Sequence, residues 1–144
     1  MIPKERYVAL EHTTDAYLEA YGLTLEEAFG NAAYALMSTL VDINRVEKTS
    51  EGILSAEGHD LEGLLYNWLE IVLLRATVDM YVINDFDVRI TRKGDDFELT
   101  AKTLGEILVP EKHHPKIEIK AATYHQMEIK KADDKYVLRF ILDL

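Results

Sequence analysis

The residues of this chain best suited to chemistry are two aspartates near opposite ends of the sequence. Asp15 follows Thr13 and Thr14 in a polar run, and Asp143 stands immediately before Leu144. An Asp in a polar turn ordinarily closes an Asx-turn or caps a helix, and that reading stays open for Asp15. Asp143 is less ordinary. Ile141-Leu142-Asp143-Leu144 reads as a strand tied into a sheet, which would set its carboxylate beside that of the chain end. Like charges that close repel unless a cation is near. Hard cations such as Ca²⁺ or Mg²⁺ take carboxylate and carbonyl oxygens. The two aspartates could share such an ion only if their strands are neighbours, which spacing alone does not establish.

The sequence offers little other chemistry. With no cysteine there is no disulfide, thiolate metal site or thiol nucleophile. Neither Gly-x-Ser-x-Gly, nor a P-loop, nor Gly-x-Gly-x-x-Gly occurs. No two histidines stand four apart on a helix. His113 and His114 are adjacent, and on extended chain they point opposite ways, which argues against a shared metal. A hydrolase working from Asp15 and Asp143 would have few ligands and no general base. No catalytic residue is expected, and the chain is read as a non-enzyme.

The formal charge of −10 over 144 residues bounds the partners. Phosphate backbones repel such a surface, so tight direct nucleic-acid binding is not expected. A cation, a basic protein partner or plain solubility all suit it. Behind Met1-Ile2-Pro3-Lys4 lies no apolar segment of the signal-peptide kind. The longest apolar run, around Ile71 to Leu74, is too short to span a bilayer. The expectation is a cytoplasmic protein away from membranes, with one domain covering residues 1–144.

The elements that must position the two aspartates can be read in outline. Arg6, Val8 and Leu10 alternate with Tyr7, Ala9 and Glu11, a short strand running into the polar turn at residues 11–15. Thr24 and Glu27 form a capping box, and Leu25, Ala28, Phe29, Ala32, Leu36 and Leu40 recur at helical spacing. That helix should end near Val41 or Asp42. Gly52 to Glu57 is a strand candidate. Asp60 then caps a second helix whose stripe of Leu61, Leu64, Leu65, Trp68, Leu69, Val72 and Leu73 calls for burial on more than one side. Phe86, Val88 and Ile90 switch to a period of two, Lys93-Gly94-Asp95-Asp96 turns the chain, and Phe97, Leu99, Ala101 and Thr103 return it. Residues 117–129 read as one long strand with His125 on its core face beside Ile119 and Met127. Asp133-Asp134-Lys135 turns into a final strand from Tyr136 to Leu144. Trp68 and Phe29 read as core, and no internal repeat stands out. The sum is an α+β sandwich, two helices packed on a mainly antiparallel sheet.

Several blocks also carry a resemblance. Glu11-His12-Thr13-Thr14-Asp15, Leu23 to Leu40, His59 to Leu69, Gly105-Glu106, Lys120 to Met127 and Leu142-Asp143-Leu144 resemble, in order, segments of the archease family. Thr14 stands where that family more often has Ala, and Leu144 where it often has Ile. The resemblance implies that Asp15 and Asp143 bind a divalent cation with a main-chain oxygen of Leu144. Calcium is the first choice, with magnesium or manganese as alternatives. It also implies a role: proteins of that family assist RtcB-type tRNA-splicing ligases, which join RNA ends with GTP and Mn²⁺, by promoting guanylylation and repeated turnover. The GTP chemistry would belong to the partner. Lys120 is a second-rank candidate for touching that partner, against the ordinary reading of a solvated strand lysine. A chaperone-like module that shields partners with an accessible stripe along Leu64 to Leu74 is the competing class.

Overall fold

The computed structural model describes residues 5–11 and 14–144. Its strands are β1 (Tyr7–Leu10), β2 (Ala16–Gly22), β3 (Ser50–Gly58), β4 (Tyr81–Lys93), β5 (Asp96–Ile107), β6 (Ala121–Ala122), β7 (Glu128–Lys131) and β8 (Tyr136–Asp143). Its helices are α1 (Leu25–Leu40), α2 (Leu61–Thr77) and the single turn α3 (Pro110–His113). The α+β class holds, and every strand pairing is antiparallel. The strands divide into two sheets, one ordered β1-β2-β8-β6 with β7 also on β8, the other β3-β5-β4. Both long helices touch both sheets: α1 packs on β2 and β8 of one and β4 of the other, and α2 on β3, β4 and β5 of one and β6 of the other. They form a middle layer, so each sheet is covered by helices on one side.

That position explains the helix sequences. The expected burial of α2 on several sides is borne out, since Leu64, Leu65, Trp68, Leu69 and Val72 are fully enclosed. In α1 the small residues Ala28, Ala32, Ala33 and Ala35 are enclosed as well, and a Cβ on Gly30 would lie 3.1 Å from the Phe86 carbonyl oxygen. Small side chains let the helix lie close against β4. Trp68 and Phe29 are core, as expected. Trp68 Nε1 donates to the Phe29 carbonyl at 3.0 Å, giving the indole its polar partner where the helices meet.

Both caps form where they were read. Thr24 accepts from the Glu27 N–H at 3.0 Å and Asp60 from the Gly63 N–H at 2.7 Å. The Glu27 carboxylate reaches past the cap to the N–H of Leu23. The structure also contains a repeat that was not expected. Gly22-Leu23-Thr24 and Gly58-His59-Asp60 each end a strand and start a helix, and a Cβ on either glycine would lie within 2.4 Å of the helix backbone. In each unit the seventh helical residue, Asn31 or Asn67, donates at 2.7 Å to the carbonyl just before the glycine. The sequences differ too much for the repeat to stand out unaided.

Two strand readings need correction. Ala16–Gly22 is a strand, unread because small and polar residues mask its alternation of buried Leu18 and Ala20 with Tyr17 and Glu19. The single long strand over residues 117–129 does not exist. Only Ala121–Ala122 and Glu128–Lys131 pair with β8, and Gln126 between them takes φ 53°, a left-handed turn conformation no strand can contain. No helix among the described residues is long and apolar enough to cross a membrane.

Candidate functional site

The strand that the sequence hid is the one that positions Asp15. β2 runs antiparallel to β8 with Ala16 opposite Leu142, Leu18 opposite Phe140 and Ala20 opposite Leu138. These rungs face the helices and belong to the core. Tyr17–Ile141 and Glu19–Arg139 occupy the other face, because side chains alternate along a strand. Asp15 immediately precedes Ala16 and Asp143 immediately follows Leu142, so the two aspartates adjoin the last rung of this ladder. Asp15 is half-buried and Asp143 exposed.

A polar cluster three rungs from Ala16–Leu142 holds the register. The Arg139 guanidinium donates to Glu19 directly across the ladder, and the Tyr21 hydroxyl donates to the other oxygen of that carboxylate. Burial would raise the Glu19 carboxyl, yet Tyr21 and Arg139 outweigh it and hold it below the usual carboxylate range. Burial, then the same Glu19, pushes Tyr21 upward. A slip of one residue would break this cluster and turn Leu138, Phe140 and Leu142 out of the core.

β6 completes the surroundings. Ala121 pairs with Asp143, and the Lys120 N–H donates to the Asp143 carbonyl oxygen at 2.7 Å. Lys120 is exposed, and Leu144 is half-buried with its side chain against the core. The structure therefore gathers the four residues singled out from sequence, Asp15, Asp143, Leu144 and Lys120, at one end of the sheet. His12 and Thr13, which belong to the same opening motif, lie outside the described residues.

The donor set fits a hard cation on chemical grounds: two carboxylates next to the same rung of the ladder, with main-chain oxygen beside them. Among the described residues no three His, Asp or Glu side chains converge on one point. An ion held here would thus rely on Asp15, Asp143 and the Leu144 main-chain oxygen, the Asp143 carbonyl being engaged by Lys120. The groups could bind and orient a cation. They include no nucleophile and base within reach of each other.

The histidines sort differently from the sequence reading. His125, expected in the core, is exposed because the turn at Gln126 carries it outward. His113 is fully buried. Its Nδ1 accepts from the Val109 N–H at 2.9 Å, so the ring proton sits on Nε2 and is donated to Glu106 at 2.8 Å. Glu106 also accepts from Lys112 and from the Glu47 N–H. Burial opposes the charge on Glu106, and these donors together hold its pKa down at about 2. Pro115 and the polar neighbours of His113 gave no hint of such burial. The Val109-to-His113 hydrogen bond depends on a one-turn helix too short to show a period.

Comparisons with known proteins agree on family. Residues 7–144 match the profile of the Archease protein family (MTH1598/TM1083). Protein archease of Pyrococcus abyssi is 43% identical over 97% of this chain and 99% of its own. The Sulfolobus acidocaldarius protein archease is 38% identical over 96% and 99%. Among solved structures, Methanobacterium thermoautotrophicum protein 1598 superposes with a TM-score of 0.83 at 37% identity, covering 96% of this chain and 99% of that one. A Thermotoga maritima archease, described as a possible chaperone, shares the fold at a TM-score of 0.57 and 20% identity, covering 94% of each chain.

Proposed function

The chain belongs to the archease family, and on that premise we propose that it is a metal-binding protein cofactor of an RtcB-type tRNA-splicing ligase, promoting the ligase's guanylylation and multiple turnover. The observation that supports this reading is the β2–β8 register, whose last rung, Ala16–Leu142, has Asp15 and Asp143 as its immediate neighbours along the two strands. A divalent cation, calcium before magnesium or manganese, would be held by these carboxylates and the Leu144 main-chain oxygen. Once bound it would supply concentrated positive charge at the tip of an acidic protein.

The chain's own residues do the rest. The charge of −10 steers the protein toward a basic, RNA-binding mouth on the ligase. Lys120, bonded through its backbone to Asp143, offers a cationic side chain beside the carboxylates for the partner or its nucleotide. The nucleotidyl transfer belongs to the ligase, and the protein acts in the cytoplasm without tight nucleic-acid binding of its own.

A chaperone-like reading has the description of the Thermotoga maritima neighbour on its side. The surface it required is not available, since Leu64, Leu65, Leu69 and Leu73 are buried and, of the apolar residues in that stretch, only Leu74 is well exposed. The deciding experiment is multiple-turnover RNA ligation by an RtcB-type ligase from the same source, with and without this protein, beside Asp143→Ala. Stimulation lost in the variant is the expected result. Stimulation kept in the variant removes the metal site, and no stimulation by either removes the activator reading.

A further inference from the structure

The end of β8 that carries Asp143 is held from one side. The β2–β8 ladder stops at Ala16–Leu142, and among the described residues the strand partner of Asp143 is Ala121 of β6 alone. The Lys120 N–H adds its bond to the Asp143 carbonyl. Leu144 follows directly, so its main-chain oxygen depends on the same anchorage. Yet β6 is two residues long, lies at the edge of its sheet and has irregular chain on either side. So short a strand has little persistence of its own.

What steadies it comes from α2. The Ala122 N–H donates to the Glu70 carboxylate at 3.0 Å. Two residues on, the Tyr124 ring stacks on Tyr66, with centroids 4.4 Å apart and planes 5° from parallel. Tyr66 and Glu70 stand four residues apart in α2 and so share one face of that helix. Between these two grips, the Thr123 N–H and hydroxyl both donate to the Ile141 carbonyl on β8, at 3.2 and 3.0 Å. α2 is itself fixed, because its Leu65, Trp68 and Leu69 are fully enclosed. The helix therefore clamps residues 122–124 against the end of β8. Of its two grips the one at Glu70 is the stronger kind, since a hydrogen bond to an ionised acceptor outweighs a neutral contact.

We propose that Glu70 is a positioning residue for the cation site. Through β6 it fixes the backbone of Asp143 and Leu144, so that the aspartate carboxylate and the last main-chain oxygen are held ready for one ion. This rests on the cation reading above. Groups that orient metal ligands without touching the metal weaken affinity about 10–100-fold when they are removed. The effect is one of position and not of charge, because the carboxylate works through a main-chain N–H that a neutral oxygen can also accept.

The test titrates calcium, and in parallel magnesium and manganese, into the full-length protein by calorimetry. The variants are Glu70→Ala, Glu70→Gln and Tyr124→Ala. Amide hydrogen exchange at Lys120 and Ala122 is followed by NMR in chelator, and thermal unfolding in chelator verifies each fold. Glu70→Ala is expected to bind the cation at least about tenfold more weakly, with faster exchange at both amides. Glu70→Gln keeps an oxygen for the Ala122 N–H while losing the charge, and should bind as the parent does. Tyr124 is 56% exposed, so its truncation leaves the core intact. Tyr124→Ala should shift both readouts in the same direction, and it decides the matter if Glu70→Ala does not fold. Parent-like affinity in the folded clamp variants overturns the proposal and leaves the cation reading standing, as does a Glu70→Gln as weak as Glu70→Ala. A parent that binds none of the three cations overturns the cation reading and this proposal with it.

Discussion

The backbone N–H of Lys120 donates to the carbonyl oxygen of Asp143 at 2.7 Å, so a residue from the middle of a broken strand reading stands beside a residue of the last strand. The bond is made by main chain and survives any change of the lysine side chain. Lys120→Ala should leave the thermal midpoint within a degree or so of the parent, since surface substitutions away from special features cost less than about 0.5 kcal/mol. Ligase stimulation should fall several-fold if Lys120 touches the partner, and an unchanged rate would return it to a solvated lysine.

Cation binding should register as stability. A ligand that binds only the folded state at a hundred times its dissociation constant adds about 2.7 kcal/mol. For a chain of this size that is a rise of several degrees in midpoint. Calorimetric scans with and without calcium should show the rise in the parent and its loss in Asp15→Asn and Asp143→Asn. The same rise in both variants would place any bound ion elsewhere.

Acid should act through Glu106. Its carboxyl titrates at about 2 in the folded protein against an ordinary 4.5. A depressed folded-state value contributes stability that is present above 4.5 and is lost as pH falls toward 2. Urea midpoints followed across that window should drop in the parent and drop less in Glu106→Gln, which has no proton to gain. Parallel curves would mean that other carboxylates govern acid unfolding.

The repeated strand–cap–helix joint predicts an asymmetry. Asn31 and Asn67 make equivalent hydrogen bonds to Tyr21 and Glu57, but Asn31 is half-buried and Asn67 exposed. Removing a side chain costs more when its partner is left without water. Asn31→Ala should lose about 1–2 kcal/mol and Asn67→Ala less than about 1 kcal/mol in urea unfolding. Equal losses would show that water does not replace the lost bond at Asn67.

What could be read from sequence followed the strength of local signals. Thr24, Glu27 and Asp60 announce their caps because the capping atoms lie within four residues of what they bond. Trp68 and Leu64 to Val72 announce a buried helix by their period. The strand at 16–22 stayed hidden because its inward residues include alanine and glycine, which carry little hydropathic contrast. Residues 117–129 misled because Ile117, Ile119 and Ala121 keep an alternating pattern, while the turn at Gln126 is a backbone conformation that its own type does not signal. The candidate site was half legible. Asp15 and Asp143 stood out as residues, but their adjacency depends on a ladder that no local pattern reveals. His113, Glu106 and Lys112 were missed because the one-turn helix that gathers them is too short to show a period.

The Glu19–Arg139 rung joins residues 120 positions apart. The carboxylates beyond it therefore cannot come together in a chain whose β2 and β8 have not yet met. Closing so long a loop is slow and entropically costly, and nothing local can substitute for it. A cation resting on Asp15 and Asp143 would consequently report that β2 and β8 have paired.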